Sequence, residues 1–343
     1  MKKNSIHDRI VFWDTAKEFL YHQLLDIRKV SNNTISSYRV GLNQFIDYLE
    51  SEKNIRRRDI SFSDFSRETL KCYQDWMLNE RKLSGKTCNL RLTAIRSLLE
   101  YASSENLELM SIYLGTCSLK GTKVDAKPIE FFESKQMKAL LLAPNTKSKI
   151  GRRNQMMLIL MYDTAARVSE LIDLTLGNLH LNSDIPYITI YGKGRKYRNI
   201  PLMEKTCSHL NRYLKEFHEG TEKEQPLFYT VTHDVKHQLS VDTLQLLIKQ
   251  YTKECASKGE EMPAKPHCHM LRKTRAMDLY RSGVPLTHIQ QLLGHEDLST
   301  TSGFYAFATL DTLAKSIAKV NPENLSMEKK WADKETLSKI YRL

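Results

Sequence analysis

The chain has 343 residues, a length that predicts two globular domains, and a hydrophobic share of 41% supplies enough apolar side chains for a core in each. Lysine and arginine number 52 against 40 aspartates and glutamates, so the formal net charge is +12 and the expected partner is a polyanion, nucleic acid first. The longest apolar stretch, Met156 to Tyr162, has seven residues, whereas roughly 20 are needed to cross a bilayer. We therefore expect no transmembrane segment.

The cell compartment is predicted from the start of the chain and from its cysteines. Met-Lys-Lys-Asn-Ser-Ile-His-Asp carries positive charge but lacks the apolar stretch of a signal peptide, so we expect a cytoplasmic protein. The six cysteines form no Cys-x-x-Cys pair. We predict reduced thiols, with neither a disulfide framework nor a zinc ribbon.

The first third of the chain shows apolar residues at three- and four-residue spacing, which is typical of amphipathic helices. We predict an all-α domain over residues 1–115 and an interdomain linker, rich in Gly, Lys and Thr, over residues 116–127. The predicted helices cover about Ala16 to Arg28, a segment from Thr34 capped by Asn32 or Asn33, Arg67 to Glu80, and Lys86 to Ala102.

The second predicted domain, residues 128–320, is mainly helical with one β-hairpin. Helices are expected at about Glu133 to Leu142 and Asn154 to Thr164, and the pattern is again mainly helical from Met203 onward. Between them, two runs of alternating β-branched and aromatic residues flank a Gly-rich turn and predict the hairpin: Tyr187 to Tyr191 and Tyr197 to Leu202. The fold class is therefore mainly α, with a small antiparallel sheet in an α+β second domain.

Four segments contain candidate functional residues. The first is Ala165-Ala166-Arg167-Val168-Ser169-Glu170-Leu171, in which Arg167 directly follows the most apolar predicted helix. An unpaired guanidinium is costly to bury, so Arg167 must have a partner. This segment alone is equally consistent with a structural ion pair to Glu170 or Asp173 and with a functional cation.

The second segment is the tip of the hairpin, which holds Lys193, Arg195 and Lys196, with Arg198 just beyond. These cations suit a phosphate backbone, although many solvated turns are equally basic. The third is His269-Met270-Leu271-Arg272, where His and Arg at i and i+3 share one helix face and can both reach one phosphate. The alternative for that pair is a structural histidine near a surface arginine.

The fourth segment follows a predicted Gly helix stop. Leu292-Leu293-Gly294-His295 supplies a second candidate His, Ser299-Thr300-Thr301 comes next, and Tyr305 lies ten residues beyond His295. Taken alone, such a tyrosine would be assigned to core packing.

Together these motifs resemble the tyrosine recombinase family, the phage-type integrases and Xer-type recombinases. The resemblance covers about residues 126 to 310 in order and approximate spacing, and the first third fits the family's DNA-binding domain more loosely. The expected activity is site-specific recombination of double-stranded DNA, as in a simple Xer-like or transposon-type recombinase. Chromosome-dimer resolution and the integration or excision of a mobile element both remain open.

The resemblance implies a role for each motif residue. Tyr305 is the nucleophile that forms a 3′-phosphotyrosine, and Arg167 and Arg272 bind the non-bridging phosphate oxygens. Lys193, with Lys196 as the second candidate, protonates the 5′-oxygen, His269 acts as general base, and His295 donates a hydrogen bond to the phosphate. In the commonest form of the motif His and Tyr are one residue closer, and a bulge or turn at Gly303 would absorb the difference.

No cofactor or metal is expected, since the sequence has no Gly-x-x-x-x-Gly-Lys-Ser/Thr motif and no evident cluster of metal-binding carboxylates. His233-Asp234-Val235-Lys236-His237 superficially resembles a zinc-protease helix, but it has no clear apolar face and no third ligand. The adjacent His267-Cys268-His269 suggests a metal site only weakly.

The resemblance also implies a C-shaped clamp of two domains around a duplex, and a homotetramer on DNA that would be monomeric in its absence, with a second recombinase as an open alternative. The segment 321–343 is a candidate for docking on a neighbouring protomer or back on its own domain. Basic residues that would contact phosphates are Arg56, Arg57, Arg58, Arg152, Arg153, Arg195, Lys196 and Arg198.

Two other functions compete with recombination. A homologue could bind DNA without cutting it, although every expected catalytic residue type is present. A type IB topoisomerase would use the same chemistry to relax DNA as a monomer, but the Xer-like spacing of the motifs favours a recombinase.

Overall fold

A computed structural model of the chain describes residues 6–124, 130–192, 197–218, 220 and 222–294. Over these residues the protein is mainly helical with two small antiparallel sheets, which confirms the predicted fold class. The chain divides into two compact units, Met1–Lys127 and Pro128–Leu343. No helix within the described ranges is both long enough and apolar enough to span a membrane.

The first unit is helical throughout. Its α-helices are α1 (Ile6–Lys17), α2 (Asn32–Lys53), α3 (Arg67–Asn79), α4 (Gly85–Glu105) and α5 (Met110–Cys117), with a π-helical segment, Glu18–Ile27, continuing α1. The first helix therefore begins ten residues before the predicted start at Ala16. At the other end of the unit, α5 runs two residues into the predicted linker.

Three of these helices begin at the same Ser-x-x-Thr pattern, in which a serine hydroxyl accepts a hydrogen bond from the backbone N–H three residues later. The N-caps are Ser31, Ser66 and Ser84, with distances of 3.3, 3.2 and 3.2 Å to the N atoms of Thr34, Thr69 and Thr87. Such a cap satisfies one of the free N–H groups of the first turn. The predicted cap of α2 at Asn32 or Asn33 is therefore wrong, because Ser31 already occupies that position and both asparagines are helical.

The core of the first unit is rich in aromatic rings. Phe45 is fully buried and lies 4.9 Å from Phe65 and 5.0 Å from Tyr73, measured between ring centroids. Such tilted and edge-on contacts add to the free energy gained by removing the rings from water. The chain after α5 remains attached to this unit, because the Asn89 side chain on α4 donates to the Thr122 carbonyl and accepts from the Thr122 N–H.

The second unit contains seven described α-helices and five strands. The helices are α6 (Ser134–Leu142), α7 (Lys149–Thr164), α8 (Val168–Ile172), α9 (Glu204–Phe217), α10 (Val241–Ser257), α11 (Cys268–Arg281) and α12 (Leu286–Leu293). The strands are β1 (Leu179–His180), β2 (Tyr187–Tyr191), β3 (Tyr197–Pro201), β4 (Tyr229–Thr232) and β5 (Val235–Gln238). The predicted hairpin is confirmed as β2 and β3, and β1 adds a short third strand.

The β2–β3 pairing determines which side chains face inward. Ile188 pairs with Ile200 and Ile190 pairs with Arg198, and the three isoleucines are buried. Because alternate residues of a strand point to the same face, Arg198 shares the inward face of β3 with Ile200, while Tyr197 and Asn199 are exposed. A basic residue is thus directed towards the interior of the unit.

The described chain after Met203 is mainly helical, as predicted, but it also contains the β4–β5 hairpin, which was not predicted. Its two-residue turn is His233-Asp234, and both residues have left-handed backbone angles, with φ of 50° and 61°. Short non-Gly side chains such as Asp tolerate this region better than most. His233 and His237 therefore lie on a turn and a strand, so the argument against a zinc-protease helix is confirmed.

Helix α7 crosses the core of the second unit and is tied to α11 by polar contacts. Arg275 on α11 forms an ion pair with the buried Asp163 at 3.0 Å, and the Tyr162 hydroxyl donates to Asp278 at 2.7 Å. The Thr274 hydroxyl accepts from the Phe132 N–H at 2.9 Å. The bonds of Tyr162 and Asp163 fix α11 relative to the end of α7, close to the motif that contains Arg167.

Candidate active site

Three of the six predicted catalytic residues lie within the described residues, and all three are at helix ends in the second unit. Arg167 is the N-cap of α8, and His269 and Arg272 are in the first turns of α11. The predicted site residues that lie outside the described residues are Lys193, Arg195, Lys196, His295 and Tyr305.

The backbone turns sharply between α7 and α8, and this turn positions Arg167. Helix α7 ends at Thr164, and Ala165 takes a left-handed conformation with φ 50° and ψ 28°. An L-residue with a Cβ pays a steric cost in this region, and such positions often occur at functional sites. Arg167 then takes extended angles, φ −68° and ψ 152°, so its side chain leaves the backbone just before α8 begins.

Glu170 is the central carboxylate of the site and is buried. Its side chain accepts from the Arg167 backbone N–H at 2.8 Å and from Arg167 Nη1 at 2.7 Å. It also accepts from Arg198 Nη1 at 3.2 Å and from Arg198 Nη2 at 2.7 Å. The predicted structural ion pair of Arg167 therefore exists, and it is made with Glu170, while Asp173 accepts from Gln238.

The ionisation of Glu170 is set by these donors. Burial alone would raise the pKa of the carboxyl group, but the hydrogen bonds from Arg198 and from the Arg167 backbone outweigh burial and lower the pKa to about 2. Glu170 is therefore negatively charged throughout the physiological range and holds both guanidinium groups.

Arg272 is almost completely buried, with 2% of its surface exposed. Its Nη1 donates to the Ala165 carbonyl at 2.7 Å, and its Nη2 donates to the carbonyl of Leu293 at the end of α12. Within the described ranges it contacts two carbonyls and forms no ion pair with a carboxylate. Burial and the charge of Arg167 lower the pKa of Arg272 to about 9, so the guanidinium is still protonated at neutral pH.

His269 is held at the start of α11, where the Cys268 N–H donates to the Gln245 side chain at 3.1 Å. The residue is exposed, yet the protein around its ring partly desolvates it. This desolvation and the charge of Arg272 lower the pKa of His269 to about 4, so the imidazole is neutral at pH 7 and can accept a proton. Burial raises the pKa of the Cys268 thiol to about 11, so it is not a nucleophile at neutral pH.

The charges of this cluster do not balance. Among the described residues, the guanidinium groups of Arg167 and Arg198 contact the carboxylate of Glu170 and that of Arg272 lies near it, so this set holds three positive charges and one negative charge. A phosphodiester carries one negative charge, and its five-coordinate transition state carries two. The arrangement is thus complementary to a phosphoryl group, and more so in the transition state than in the ground state. No cluster of three or more His, Cys, Asp or Glu side chains in the described part of the chain has the arrangement of a metal site.

The basic residues expected to contact DNA have different surroundings. Arg56 and Arg58 are exposed, and Arg57 pairs with Asp47 and Glu50. Arg152 makes a two-pronged ion pair with Glu216, with its shortest distance at 2.6 Å. Arg153 donates to the Tyr229 carbonyl and to the side chain of Asn154, and Arg198 is directed inward to Glu170.

Two features of the site were given too little weight from the sequence. Glu170 was considered only as the partner in a structural alternative, although a glutamate three residues after an N-cap commonly bonds back to the cap N–H. The inward direction of Arg198 follows from its two-residue spacing to Ile200, a signal that was present in the sequence. The carbonyls that hold Arg272 depend on tertiary structure and had no such signal.

Comparison with known proteins assigns the family. The model of the phage integrase family matches residues 130–309, and that of the phage integrase N-terminal SAM-like domain matches residues 17–106. The tyrosine recombinase XerD of Halalkalibacterium halodurans is 31% identical over 309 residues, covering 90% of this chain and 98% of the relative. The tyrosine recombinase XerD of Vibrio cholerae is 29% identical over 294 residues, covering 84% and 92%.

Solved structures share the fold at lower identity. A XerH site-specific recombinase bound to a palindromic difH substrate superposes with a TM-score of 0.66 at 20% identity, covering 85% of this chain and 81% of that chain. The Tn1549 transposon integrase in complex with a circular intermediate DNA gives a TM-score of 0.65 at 18% identity, covering 88% and 98%. With both family models matched in order along the chain, the protein belongs to the phage integrase family of tyrosine recombinases.

Proposed function

We propose that this recombinase cuts and rejoins DNA strands at specific sites through a covalent 3′-phosphotyrosine intermediate. The Tyr305 oxygen attacks the phosphorus, the bond to the 5′-oxygen breaks, and the free 5′-hydroxyl leaves. The reverse attack by a 5′-hydroxyl of another strand restores the phosphodiester and frees Tyr305. Because the phosphoester bond is conserved at each step, the reaction needs neither a nucleotide nor a metal ion.

The observation that carries this proposal is the buried Arg272. A guanidinium with 2% exposure and only carbonyl partners in the described part of the chain is costly to maintain, and a bound phosphate would compensate its charge. Arg167, held by Glu170 and partly exposed, provides a second donor for the same group. We assign both arginines to the non-bridging oxygens of the scissile phosphate.

The proton transfers require one base and one acid. His269, whose pKa lies below neutrality, is neutral at pH 7 and takes the proton of the Tyr305 hydroxyl. Lys193 protonates the departing 5′-oxygen, with Lys196 as the alternative donor, and His295 donates a hydrogen bond to the phosphate. The roles of Lys193, Lys196 and His295 rest on the family motifs alone. The role of His269 rests also on its position beside Arg272.

The assembly we propose contains four protomers, because exchange between two duplexes requires four strand cleavages.

The exposed Arg56 and Arg58 of the first unit would contribute phosphate contacts that weaken as salt rises. The segment 321–343 is our candidate for a contact between protomers, and removal of residues 331–343 should then reduce assembly of the tetramer on DNA. We assign the reaction to the cytoplasm.

A nicked suicide substrate tests the chemistry directly. Wild-type protein and Tyr305→Phe are incubated with nicked duplexes made from the DNA flanking the gene, and the products are separated on a denaturing gel. A slower band that survives denaturation and is lost in Tyr305→Phe would establish the covalent intermediate. Tight, salt-sensitive binding without any adduct would contradict the proposal and favour a DNA-binding homologue that does not cut.

A second assay separates recombination from relaxation. Supercoiled plasmid with and without two copies of the site is incubated with the protein, and the products are analysed for exchange and for linking number. Exchange between the two sites is expected. Relaxation of plasmid that lacks the site, without exchange, would instead indicate a type IB topoisomerase.

A further inference from the structure

The Arg198 side chain lies inside the second unit, where it contacts two other elements, and is not a surface cation. It lies on β3 opposite Ile190, on the same inward face as Ile200, and only 11% of its side chain is exposed. A guanidinium so covered has lost most of its contact with water, and its charge must be compensated within the protein.

The guanidinium joins two parts of the site that are distant in sequence. Its Nη1 and Nη2 donate to the two carboxylate oxygens of Glu170 at 3.2 and 2.7 Å, which is the paired geometry that arginine forms with carboxylates. On its other side, Nε donates to the Leu292 carbonyl at 2.9 Å. One planar group thus connects α8 to the end of α12.

Both ends of this connection lead directly to residues of the proposed reaction. Glu170 also holds the backbone N–H and the guanidinium of Arg167, so its position determines where Arg167 points. The carbonyl of Leu293, next to Leu292, accepts from Arg272. Two arginines therefore hold adjacent carbonyls at the end of α12, immediately before Gly294 and His295.

The end of α12 is shaped to admit the Arg198 side chain. Gly294 has a left-handed backbone with φ of 60°, and a Cβ added there would lie 3.1 Å from Arg198 Nη1 and 3.3 Å from Arg198 Cδ. A side chain at this position would be both strained and crowded. Glycine allows α12 to stop while Arg198 passes close to its last turn.

We propose that Arg198 is a positioning residue for strand cleavage. Through Glu170 it orients Arg167, and through the Leu292 carbonyl it fixes the position of Arg167 relative to the end of α12, which precedes His295. The inference rests on the proposed function, because Arg167 and His295 are assigned there to the scissile phosphate. It replaces the sequence-based expectation that Arg198 contacts the DNA backbone directly.

Cleavage kinetics distinguish positioning from DNA contact. The full-length variants are Arg198→Met, Arg198→Lys and, as a matched control on an exposed arginine of α9, Arg212→Met. We expect Arg198→Met to reduce the rate of adduct formation at saturating DNA by about 100-fold, as loss of a fixed donor does. Its DNA dissociation constant and the salt dependence of binding should stay within two-fold of wild type, and Arg212→Met should match wild type in both.

The conservative variant adds a geometric test. Lysine keeps the charge but cannot make two parallel bonds to Glu170 while also reaching Leu292. Arg198→Lys should therefore restore only part of the rate. A dissociation constant that weakens in Arg198→Met, with a shallower salt slope and an unchanged rate at saturation, would overturn the inference in favour of a phosphate contact.

A pH profile provides a readout that a general loss of stability would not produce. In wild type, Glu170 faces Arg167 and Arg198 directly and Arg272 at longer range, and all three favour its charged form. Removal of Arg198 weakens this stabilisation, so protonation of Glu170 should begin at higher pH. The adduct rate of Arg198→Met should then fall on the acid side at a pH where wild type is unaffected, and Glu170→Gln in the same background should remove that dependence.

The same variants decide the inference if the proposed function fails. Absence of any adduct with wild-type protein would contradict the function. The role of Arg198 is then tested by denaturant unfolding between pH 3 and 7, where wild type should lose stability towards acid as Glu170 is protonated. Arg198→Met should lose less over the same range, because its Glu170 pKa lies closer to the unfolded value, and the Arg198→Met, Glu170→Gln double variant should lose none from this group. Parallel profiles for wild type and Arg198→Met would show that Arg198 does not hold Glu170, and would reject the inference.

Discussion

The two units of the molecule bury different kinds of side chain. In the first unit the described core is built from phenylalanine, tyrosine and aliphatic residues, and its buried polar groups are Ser61, Ser103 and Thr116. In the second unit the described buried set also includes Asp163, Glu170 and Arg272. The packing of the first unit is explained by stability alone, whereas that of the second is not.

Buried charges are rarely the most stable solution for a core. Replacing a buried ion pair by apolar side chains of similar volume is often neutral or stabilising. Asp163 is balanced by Arg275 and ties α11 to α7, which is a structural role. In the part of the chain that the structure describes, Glu170 and Arg272, together with Arg167 and Arg198, leave net positive charge at one point, and the phosphate of the proposed reaction would balance that surplus.

The largest expected effect comes from removing the buried cation of the second unit. Arg272→Gln should lower the rate of covalent adduct formation by about 10³-fold, because a charged donor to the developing phosphate charge is lost. The rate is measured at saturating DNA on a denaturing gel, with Arg212→Gln as the control on an exposed arginine. A reduction below ten-fold would show that Arg272 is structural.

The next largest effect is expected when a core side chain of the first unit is truncated. Here the free energy of unfolding falls because packing is lost, not because a charge is removed. Phe45 is fully buried among aromatic rings, so Phe45→Ala should reduce the free energy of unfolding by about 4 kcal/mol. Urea unfolding followed by circular dichroism measures this, with the exposed Leu246→Ala on α10 as the control that should change little. A loss below about 1 kcal/mol would contradict the contrast between the units.

Glu170→Gln should remove a pH dependence that the Glu170 carboxylate gives to the stability of the second unit. The folded pKa of Glu170, about 2, lies below its ordinary 4.5, so the carboxylate stabilises the fold above pH 4.5 and loses this contribution as the pH falls towards 2. The shift corresponds to roughly 3 kcal/mol. Unfolding curves of wild type and variant should differ by that amount at pH 7 and converge near pH 2.

The matched control for this experiment is Glu216→Gln, which removes an equally two-pronged pair with Arg152 that is more exposed than the pairs of Glu170. Exposed pairs contribute little, so this variant should lose at most about 1 kcal/mol at pH 7. An equal loss in the two variants would mean that burial of Glu170 is not what makes it important.

His269→Gln should slow adduct formation by about 10²-fold at pH 7, since it removes the proposed general base. With sub-saturating DNA, which reports the free enzyme, the wild-type rate should keep the contribution of His269 at pH 6 and lose it as the pH falls towards about 4. His209→Gln on α9 serves as the control. An unchanged profile in His269→Gln would assign the acid limb to another group.

The smallest effect is expected at the surface of the first unit. Arg57→Ala removes ion pairs to Asp47 and Glu50 in which every side chain is about half exposed. Screening by water limits such pairs to about 0.5 kcal/mol, and urea unfolding should show a change of that order. A loss of 2 kcal/mol or more would mean that charge also supports the first unit.

The fold class was predictable because it depends on periodicity. Helices α3 and α6 were predicted to within one residue at each end, and the β2–β3 hairpin followed from alternating side chains around a Gly-rich turn. The β4–β5 hairpin was missed because its strands are short and mostly exposed, so they carry little apolar pattern. Its His-Asp turn was the remaining signal.

From the sequence, the candidate site could be proposed as a set of residues but not as a network. Arg167, His269 and Arg272 were identified from motifs, because each chemical role requires a particular side chain at a particular spacing. That Arg272 is held by the carbonyls of Ala165 and Leu293 depends on the meeting of three helix ends. Backbone carbonyls are present at every residue, so sequence gives no indication of which ones face a guanidinium.

The left-handed turn at Ala165 constrains the length of α7. Helix α7 ends at Thr164, and the capping residue Ala165 supplies one of the two carbonyls that accept hydrogen bonds from Arg272. One residue added to α7 would rotate that carbonyl by about 100° around the helix axis and advance it by about 1.5 Å. Insertions and deletions within α7 would therefore move the Ala165 carbonyl away from Arg272, whereas surface substitutions that keep the length of α7 leave it in place.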